Sequence, residues 1–221
     1  DAFKGVIVAT SRGTTALTRE SSTLPLHGRG TTVVATVLPN IPAQAEAHFG
    51  VPMAGCVLNT INTRLESETI AYILENSDCR LLITDTAFAP NVSPALAALP
   101  DDVRARIRVV DIRDPAMGDL PPLGDEDYEA FIAGGDPAYD WQMPADEWQA
   151  LALGYTSGTS GRPKGVVYHH RGAYLMAMGT VAAWAMPQRP VYMSVVPMFH
   201  CNGWGHPWMV AIMGGTMVFP K

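Results

Sequence analysis

Stretches with strand-like and helix-like spacing of apolar residues alternate along the chain from residue 31 onward. Residues 31–38, Thr-Thr-Val-Val-Ala-Thr-Val-Leu, are β-branched and apolar and lie between turn residues, which predicts a buried strand. Pro42 then occupies a position favoured at a helix start, and the alanine-rich stretch from Ala43 to Gly55 keeps apolar residues on one face. We therefore predict a helix over this stretch, with a kink or break near Pro52.

The same alternation continues to the end of the chain. Predicted strands cover Gly55–Leu58, Arg80–Thr84, Ile107–Val110, Ala150–Tyr155, Gly165–Tyr168 and Val191–Val195, and predicted helices cover Glu66–Ser77, Ala87–Leu99 and Gly172–Trp184. Strands that alternate with helices form a mostly parallel sheet with helices on both faces. The predicted fold class is therefore α/β.

Two parts of the chain do not follow this pattern. Residues 1–30 show no consistent period apart from Val6-Ile7-Val8, and we assign them no function. Residues 111–148 are acidic and rich in Pro and Gly, with one turn of helix expected over Tyr128–Ile132. We interpret 111–148 as an acidic surface connection within a domain that spans residues 31–221.

Composition narrows the classes of function. A hydrophobic content of 48% is sufficient for a large buried core. The net charge of -6 and the lack of any Lys/Arg cluster argue against nucleic acid as a partner. No apolar stretch is long enough to span a membrane, and the first residues do not show a basic region followed by an apolar run and a small-residue cleavage site, so we expect a cytoplasmic protein without an integral membrane segment. Cys56, Cys79 and Cys201 lack metal-site or disulfide-framework spacing and are predicted to be free thiols.

The densest candidate for chemistry is the run Tyr155-Thr-Ser-Gly-Thr-Ser-Gly-Arg-Pro-Lys-Gly165, which lies between two predicted strands. Glycines let backbone N–H groups turn toward an anion, and hydroxyl groups donate to phosphate oxygens. Lys164 supplies a mobile positive charge for the outer phosphates, and Pro163 restricts the backbone before it. The run therefore predicts a phosphate-binding loop.

Two other interpretations of this run are less consistent with its residues. In the Walker-type pattern GxxxxGK[ST] the two glycines are farther apart than Gly158 and Gly161, and Ser or Thr follows the lysine where this chain has Gly165. That pattern also leads from a strand into a helix, and here a strand follows. A merely flexible Gly/Ser connection would not require the proline and lysine at its end.

A second constellation, Pro197-Met-Phe-His-Cys-Asn-Gly-Trp-Gly-His206, follows the last predicted strand. Phe199 and Trp204 can form apolar walls of a pocket, and His200 can orient a carboxylate near neutral pH. A packed turn with a hydrogen-bonded histidine is the alternative. His206 has no support for a functional role, and we expect His169 and His170 to cap or pack at the start of the following helix.

The run from Tyr155 to Gly165 resembles the signature loop of the adenylate-forming superfamily, which contains acyl-CoA synthetases, firefly-type luciferases and peptide-synthetase adenylation domains. Four further stretches support the resemblance in the same order, namely Leu38-Pro-Asn40, residues 55–64, His169-His-Arg-Gly172 and Pro197 to Trp204. The resemblance covers roughly residues 30–221. It implies the incomplete amino-terminal domain of an acyl-CoA synthetase-like fold.

The resemblance implies that a carboxylic or fatty acid is joined to CoA at the expense of ATP. The carboxylate attacks the α-phosphorus to give an acyl-adenylate and pyrophosphate, and the CoA thiol then displaces AMP. Mg²⁺ accompanies the nucleotide, although no residue here is assigned as a metal ligand, and a homodimer is left open. The residues expected to bind ATP are Thr156, Ser157, Gly158, Thr159, Ser160, Gly161 and Lys164.

The resemblance also implies roles for the second constellation. His200 and Lys164 are the expected catalytic groups, and Phe199, His200 and Trp204 are expected to border the acyl site and the CoA channel. Family motifs for adenine, ribose and Mg²⁺, and the carboxy-terminal lid, do not occur in this sequence, so we expect a fragment of an acyl-CoA ligase. Two alternatives remain: an adenylation domain with another acceptor, and a non-catalytic nucleotide- or acyl-binding remnant.

Overall fold

A computed structural model describes residues 32–114, 120–124, 126–156 and 162–220, in which strands and helices alternate. The strands are β1 (Val33–Val37), β2 (Val57–Thr60), β3 (Cys79–Asp85), β4 (Arg108–Ile112), β5 (Glu126–Asp127), β6 (Ala150–Thr156), β7 (Lys164–His169), β8 (Val191–Met193) and β9 (Thr216–Val218). The α-helices are α1 (Pro42–Met53), α2 (Ser67–Asn76), α3 (Ala89–Ala97), α4 (Asp101–Arg104), α5 (Tyr128–Ala133), α6 (His170–Ala183), α7 (Cys201–Trp204) and α8 (His206–Ile212). A short 3-10 turn, Thr86–Phe88, precedes α3.

Within the described ranges, seven strands form one sheet in the order β5-β4-β3-β1-β2-β6-β7. Neighbouring strands run parallel except β6 and β7, which form an antiparallel pair at one edge. Strands β8 and β9 pair in parallel as a separate small sheet. The mostly parallel α/β fold is thus confirmed.

The central strand β1 explains why helices cover both faces of the sheet. All five of its residues are buried, as expected for a parallel strand that has no solvent-facing side. Because side chains alternate along a strand, Val34 packs on one face with residues of α1, while Ala35 and Val37 pack on the other with residues of α2 and α3. The prediction of helices on both faces is confirmed.

Helix α1 begins at Pro42 as predicted but ends at Met53, two residues before the predicted end. Pro52 lies in its last turn and has no N–H to donate, so the carbonyl of His48 lacks its helical partner. The indole of Trp208 in α8 donates to that carbonyl at 3.1 Å. The chain then turns through Gly55, whose positive φ of 72° favours glycine.

Strand β2 lies two residues later than the sequence pattern predicted. Asn59 and Thr60, which follow the predicted strand, are buried within β2. The register from Val33 opposite Val57 to Thr36 opposite Thr60 places them between β1 and β6. Pairing with β1 therefore decided the boundary.

The second half of the chain contains more helix than the sequence analysis predicted. Helix α6 begins at His170, before the predicted start at Gly172. The stretch from Pro197 to His206, for which no helix was predicted, contains α7 and the start of α8. The predicted turn of helix at residue 128 is confirmed by α5, and the stretch 111–148 also contains β5 at the sheet edge.

The three cysteines form no disulfide with one another, as predicted, and Cys201 is exposed whereas Cys56 and Cys79 are buried. Asp111, the first residue of the acidic stretch, is fully buried at the end of β4. Its carboxylate accepts hydrogen bonds from the backbone N–H groups of Leu123 and Gly124 at 2.9 Å each. Over the described residues, no helix combines the length and the apolar character needed to cross a bilayer.

Candidate active site

The predicted phosphate loop is closed at its base by the β6–β7 hairpin. Thr156 lies directly opposite Lys164 in the antiparallel register, and its hydroxyl is 3.5 Å from the Lys164 carbonyl oxygen. Both residues are exposed. Five predicted phosphate ligands lie outside the described residues, namely Ser157, Gly158, Thr159, Ser160 and Gly161. Their assignment stays a prediction.

Lys164 has the electrostatic character that the prediction requires. Among the described residues, no carboxylate lies within ion-pair distance of its ammonium group. An exposed ammonium without an internal counter-ion remains available to an anion, whereas a paired one would first have to break its salt bridge. The described part of the chain therefore leaves the Lys164 charge for an external ligand.

A cation–π contact and a hydrogen bond connect the two ends of the loop to helix α2. The Arg162 guanidinium lies 5.2 Å from the centre of the Tyr72 ring, a cation–π distance. On the other side of the hairpin, the Tyr155 hydroxyl donates to the Asn76 side chain at 2.8 Å. Burial raises the pKa of Tyr155 to about 12, so this hydroxyl keeps its proton at neutral pH. These contacts hold the base of the loop against helix α2.

A cavity of about 420 Å³ lies beside the hairpin, near the carboxyl ends of β2 and β6. Its wall is formed by Thr60, Ile61, Asn62, Leu65, Ile73, Gly154, Tyr155, Thr156, Pro163, Tyr168, Phe199, His200 and Cys201. Of the predicted site residues, Thr156, Phe199 and His200 are therefore brought together. Lys164 follows the lining residue Pro163 but does not itself line this cavity.

His200 caps the amino end of α7 with its ring. The ring nitrogen Nδ1 accepts a hydrogen bond from the backbone N–H of Asn202 at 3.3 Å. A neutral imidazole that accepts at Nδ1 carries its proton on Nε2, so Nε2–H is the donor that remains for a ligand. The ring is exposed and lines the cavity, which places this donor where a carboxylate or phosphate oxygen can reach it.

Trp204 occupies a different position from the one expected of a cavity wall. It is 7% exposed and packs with Tyr168 and Trp208 at ring-centre distances of 4.7 Å and 4.6 Å. Tyr168 lines the cavity, and Trp204 lies in the core next to it. The described structure places the Trp204 ring inside the protein and not in the cavity wall. Its predicted role in acyl or pantetheine binding stays a prediction.

His169, His170 and His206 pack within the described part of the fold. The His169 ring accepts a hydrogen bond from the Gly172 N–H at 2.8 Å, which confirms the predicted cap of α6. His206 is buried, and its Nδ1 lies 2.6 Å from the Tyr192 hydroxyl. Burial lowers the pKa of both His170 and His206.

Sequence reasoning missed much of the cavity wall. Ile61 and Asn62 belong to the stretch 55–64, which was noted for its resemblance to the family, Leu65 was given no role, and Tyr168 was interpreted as a strand residue. Asn40 was also given no role. Its side chain holds the loop that precedes Phe199, and one signal was its position directly after the central strand, where ligand sites of α/β folds are usually found.

This chain is similar to a family of known proteins and to individual ligases within it. A family profile described as AMP-binding enzyme matches residues 24–221. A peroxisomal acetate/butyrate–CoA ligase of Arabidopsis thaliana is 45% identical, with 86% of this chain and 35% of that protein covered. An acetate–CoA ligase of Humulus lupulus is 42% identical, with the same shares covered.

Solved structures support the fold. A benzoate CoA ligase from Burkholderia xenovorans superimposes with a TM-score of 0.76 at 19% identity, covering 99% of this chain and 39% of that chain. The chain thus spans about a third of the length of the curated relatives that it matches, 35% for each of the two named above. With its profile match over residues 24–221, the chain belongs to the family of AMP-binding enzymes.

Proposed function

We propose that this chain forms the phosphate- and carboxylate-facing part of an ATP-dependent acyl-CoA ligase. The observation that carries the proposal is the paired β6–β7 hairpin, with Thr156 opposite Lys164, at a cavity that Thr156 and His200 both line. A hairpin from which the predicted anion-binding run starts and a hydrogen-bond donor at the same cavity would suit a reaction between a triphosphate and a carboxylate. Membership of the family supports the same reaction class.

The first step would join the acid to the nucleotide. A carboxylate oxygen attacks the α-phosphorus, the bond from that phosphorus to the bridging oxygen breaks, and pyrophosphate leaves with the bonding pair. In this proposal the loop and Lys164 hold the outer phosphates, where charge accumulates, and the His200 Nε2–H orients the carboxylate. Such catalysis consists of positioning and electrostatic stabilisation, without a covalent link to the protein.

The second step would transfer the acyl group to a thiol. The CoA sulfur attacks the acyl carbon, the thiol proton is released, and the bond to the phosphate oxygen of AMP breaks. Phe199 lines the cavity and would contact the acyl group. Because two relatives are named for acetate or butyrate, short-chain carboxylates are the first substrates to test.

Mg²⁺ is part of the proposal only as the usual companion of ATP. The cation prefers oxygen ligands, usually with carboxylates among them. Within the described residues, the cavity wall contains no Asp or Glu side chain. Within the same residues, no group of three His, Cys, Asp or Glu side chains could hold a metal. The described residues do not fit a metal site by themselves, so no step is routed through the ion.

Two assays test the proposal. Carboxylate-dependent exchange of pyrophosphate into ATP should occur with the full-length polypeptide, and formation of a CoA thioester should follow when CoA is added. Exchange without a thioester would indicate an adenylating enzyme with another acceptor. No exchange with any acid in a panel of carboxylates would favour the non-catalytic remnant.

The remaining parts of the proposal concern assembly and location. A cytoplasmic protein was expected, whereas the name of the Arabidopsis relative places that protein in peroxisomes. Fluorescence microscopy of the tagged full-length polypeptide distinguishes the two locations. Light scattering of the purified protein tests the homodimer.

A further inference from the structure

One side chain fixes the segment that leads to Phe199 and His200. The Asn40 amide nitrogen donates to the carbonyl oxygens of Ser194 and Val196 at 2.8 Å each, and its amide oxygen accepts from the Met198 N–H at 2.9 Å. The Ser194 hydroxyl lies 3.2 Å from the same nitrogen. Asn40 therefore contacts backbone groups of three alternate residues from the far end of the chain.

Asparagine has a particular combination of groups for this contact. A primary amide offers two N–H donors on one atom and a carbonyl acceptor on another, and here both donors and the acceptor have backbone partners. Aspartate has nearly the same shape but, when ionised, only accepts hydrogen bonds. At position 40 it would turn a negative oxygen toward two carbonyl oxygens. The geometry thus depends on the amide and not on side-chain volume.

The position of Asn40 in the fold makes this contact relevant to the cavity. Asn40 follows β1, which has β2 on one side and β3 on the other in the sheet. The connections between successive strands therefore lead to opposite sides of β1 at this point. Ligand sites of open α/β sheets are usually found at such points. Asn40 itself does not line the cavity, so it would act through the segment 194–198 that it holds.

The anchored segment is connected rigidly to His200. Met198 is fully buried, and the His200 N–H donates to the Pro197 carbonyl at 3.1 Å. Helix α7 packs closely on the segment, because a Cβ at Gly203 would lie 2.5 Å from the Pro197 carbonyl oxygen. A displacement of the segment would therefore move His200 relative to the phosphate loop.

We propose that Asn40 is a positioning residue that sets the placement of His200 against the β6–β7 hairpin through the segment 194–198. This inference rests on the proposed ligase function. Misplacement of a reacting group by about 1 Å can lower a rate by about 100-fold. We therefore expect Asn40→Asp in the full-length polypeptide to lower the rate of pyrophosphate exchange by about 10- to 100-fold, with the KM for ATP changed less than about 3-fold.

A double-mutant comparison separates positioning from general destabilisation. If Asn40 acts through His200, Asn40→Asp should lower the rate by less than about 2-fold in a His200→Ala background, because residues that act as one unit are not additive. An equal loss in both backgrounds would overturn the proposal. The matched control is Ser194→Ala, which removes the hydroxyl near Asn40, keeps the three backbone contacts and should retain the wild-type rate.

A readout that is independent of activity uses Cys201, which adjoins His200 and is exposed, whereas Cys56 and Cys79 are buried. A trifluoromethyl label on Cys201 should show a shifted or broadened ¹⁹F resonance in Asn40→Asp and an unchanged one in Ser194→Ala. If Asn40→Asp does not fold, Asn40→Ser, which keeps one donor and one acceptor, replaces it in every comparison. An unchanged resonance in the Asn40 variant refutes the positioning role even if the protein proves to have no ligase activity.

Discussion

The stability of this protein should fall as the pH drops from 7.5 to 5.0, and we expect His48 to account for much of the loss. His48 lies in α1 and is fully buried, with ring-centre distances of 6.3 Å to Trp204 and 5.6 Å to Trp208. Its Nδ1 lies 2.7 Å from the Gln44 carbonyl oxygen, and so carries the proton in the neutral ring. Burial lowers the pKa of His48 from 6.5 to about 4, against the opposing effect of hydrogen bonds to the backbone.

The size of the effect follows from the difference in pKa between the unfolded and folded states. Between pH 6.5 and 4 the unfolded chain binds a proton at His48 that the folded chain does not, so stability rises with pH in this window. The contribution is fully present above pH 6.5 and is lost as the pH falls toward 4. The complete shift corresponds to about 3 kcal/mol, of which about 2 kcal/mol is lost by pH 5.0.

The assay is urea unfolding of the chain and of His48→Asn at pH 7.5 and pH 5.0. Urea is preferred because guanidinium is a salt and would screen charges. Asn retains an N–H donor near Gln44 and does not titrate, so the variant should lose about 2 kcal/mol less than the wild type between the two pH values. Leu58→Ala, a buried non-titrating control, should be less stable at both pH values and show the wild-type difference between them.

Contributions from His170 and His206 occur in both proteins and cancel in this comparison. If the wild type and His48→Asn lost the same stability between pH 7.5 and 5.0, the ring could not be buried in its neutral form. The inference that a neutral His48 ring packs next to Trp204 and Trp208 would then be refuted.

Three further predictions concern the candidate site. In the full-length polypeptide, Lys164→Ala should lower the proposed adenylation rate by about 10- to 100-fold through the loss of a charged phosphate contact, and an unchanged rate would mean that the loop is misassigned. His200→Ala should slow the acyl or thioester step by at least about 10-fold, with ATP binding measured by calorimetry nearly unchanged; selective loss of ATP binding would contradict its placement. Gly203→Ala should destabilise the protein by about 1–3 kcal/mol in urea because its Cβ would lie 2.5 Å from the Pro197 carbonyl oxygen. Gly179→Ala, where a Cβ meets nothing within 4 Å, should be neutral or stabilising, and equal losses at the two positions would refute the packing argument.

The main features of the fold could be predicted because they depend on short-range patterns. Strand β1 consists of apolar and β-branched residues, and such runs occur where both faces of a strand are covered. The start of α1 at Pro42 was predictable because proline fits the first turn of a helix. The alternation of these elements then leads to a parallel sheet, since parallel neighbours need crossover connections.

The bounds of β2 and the nature of residues 197–206 could not be predicted in the same way. Asn59 and Thr60 are polar, and only their pairing between β1 and β6 takes them into a buried strand. Helix α7 has only four residues, and at that length its stability comes from packing on the segment before it, not from helix propensity.

The sequence alone determined which chemistry is available: hydroxyl groups, glycines and a lysine in one run, and an imidazole in another. Tertiary structure decided which of these groups meet, placing Thr156, Phe199 and His200 around one cavity and Trp204 inside the core. It also brought Asn40 next to its hydrogen-bond partners, which lie more than 150 residues away in the sequence. The physical reason is that residue type and local period act over a few neighbours, whereas hydrogen bonds between distant segments exist only after the sheet has brought its strand ends together.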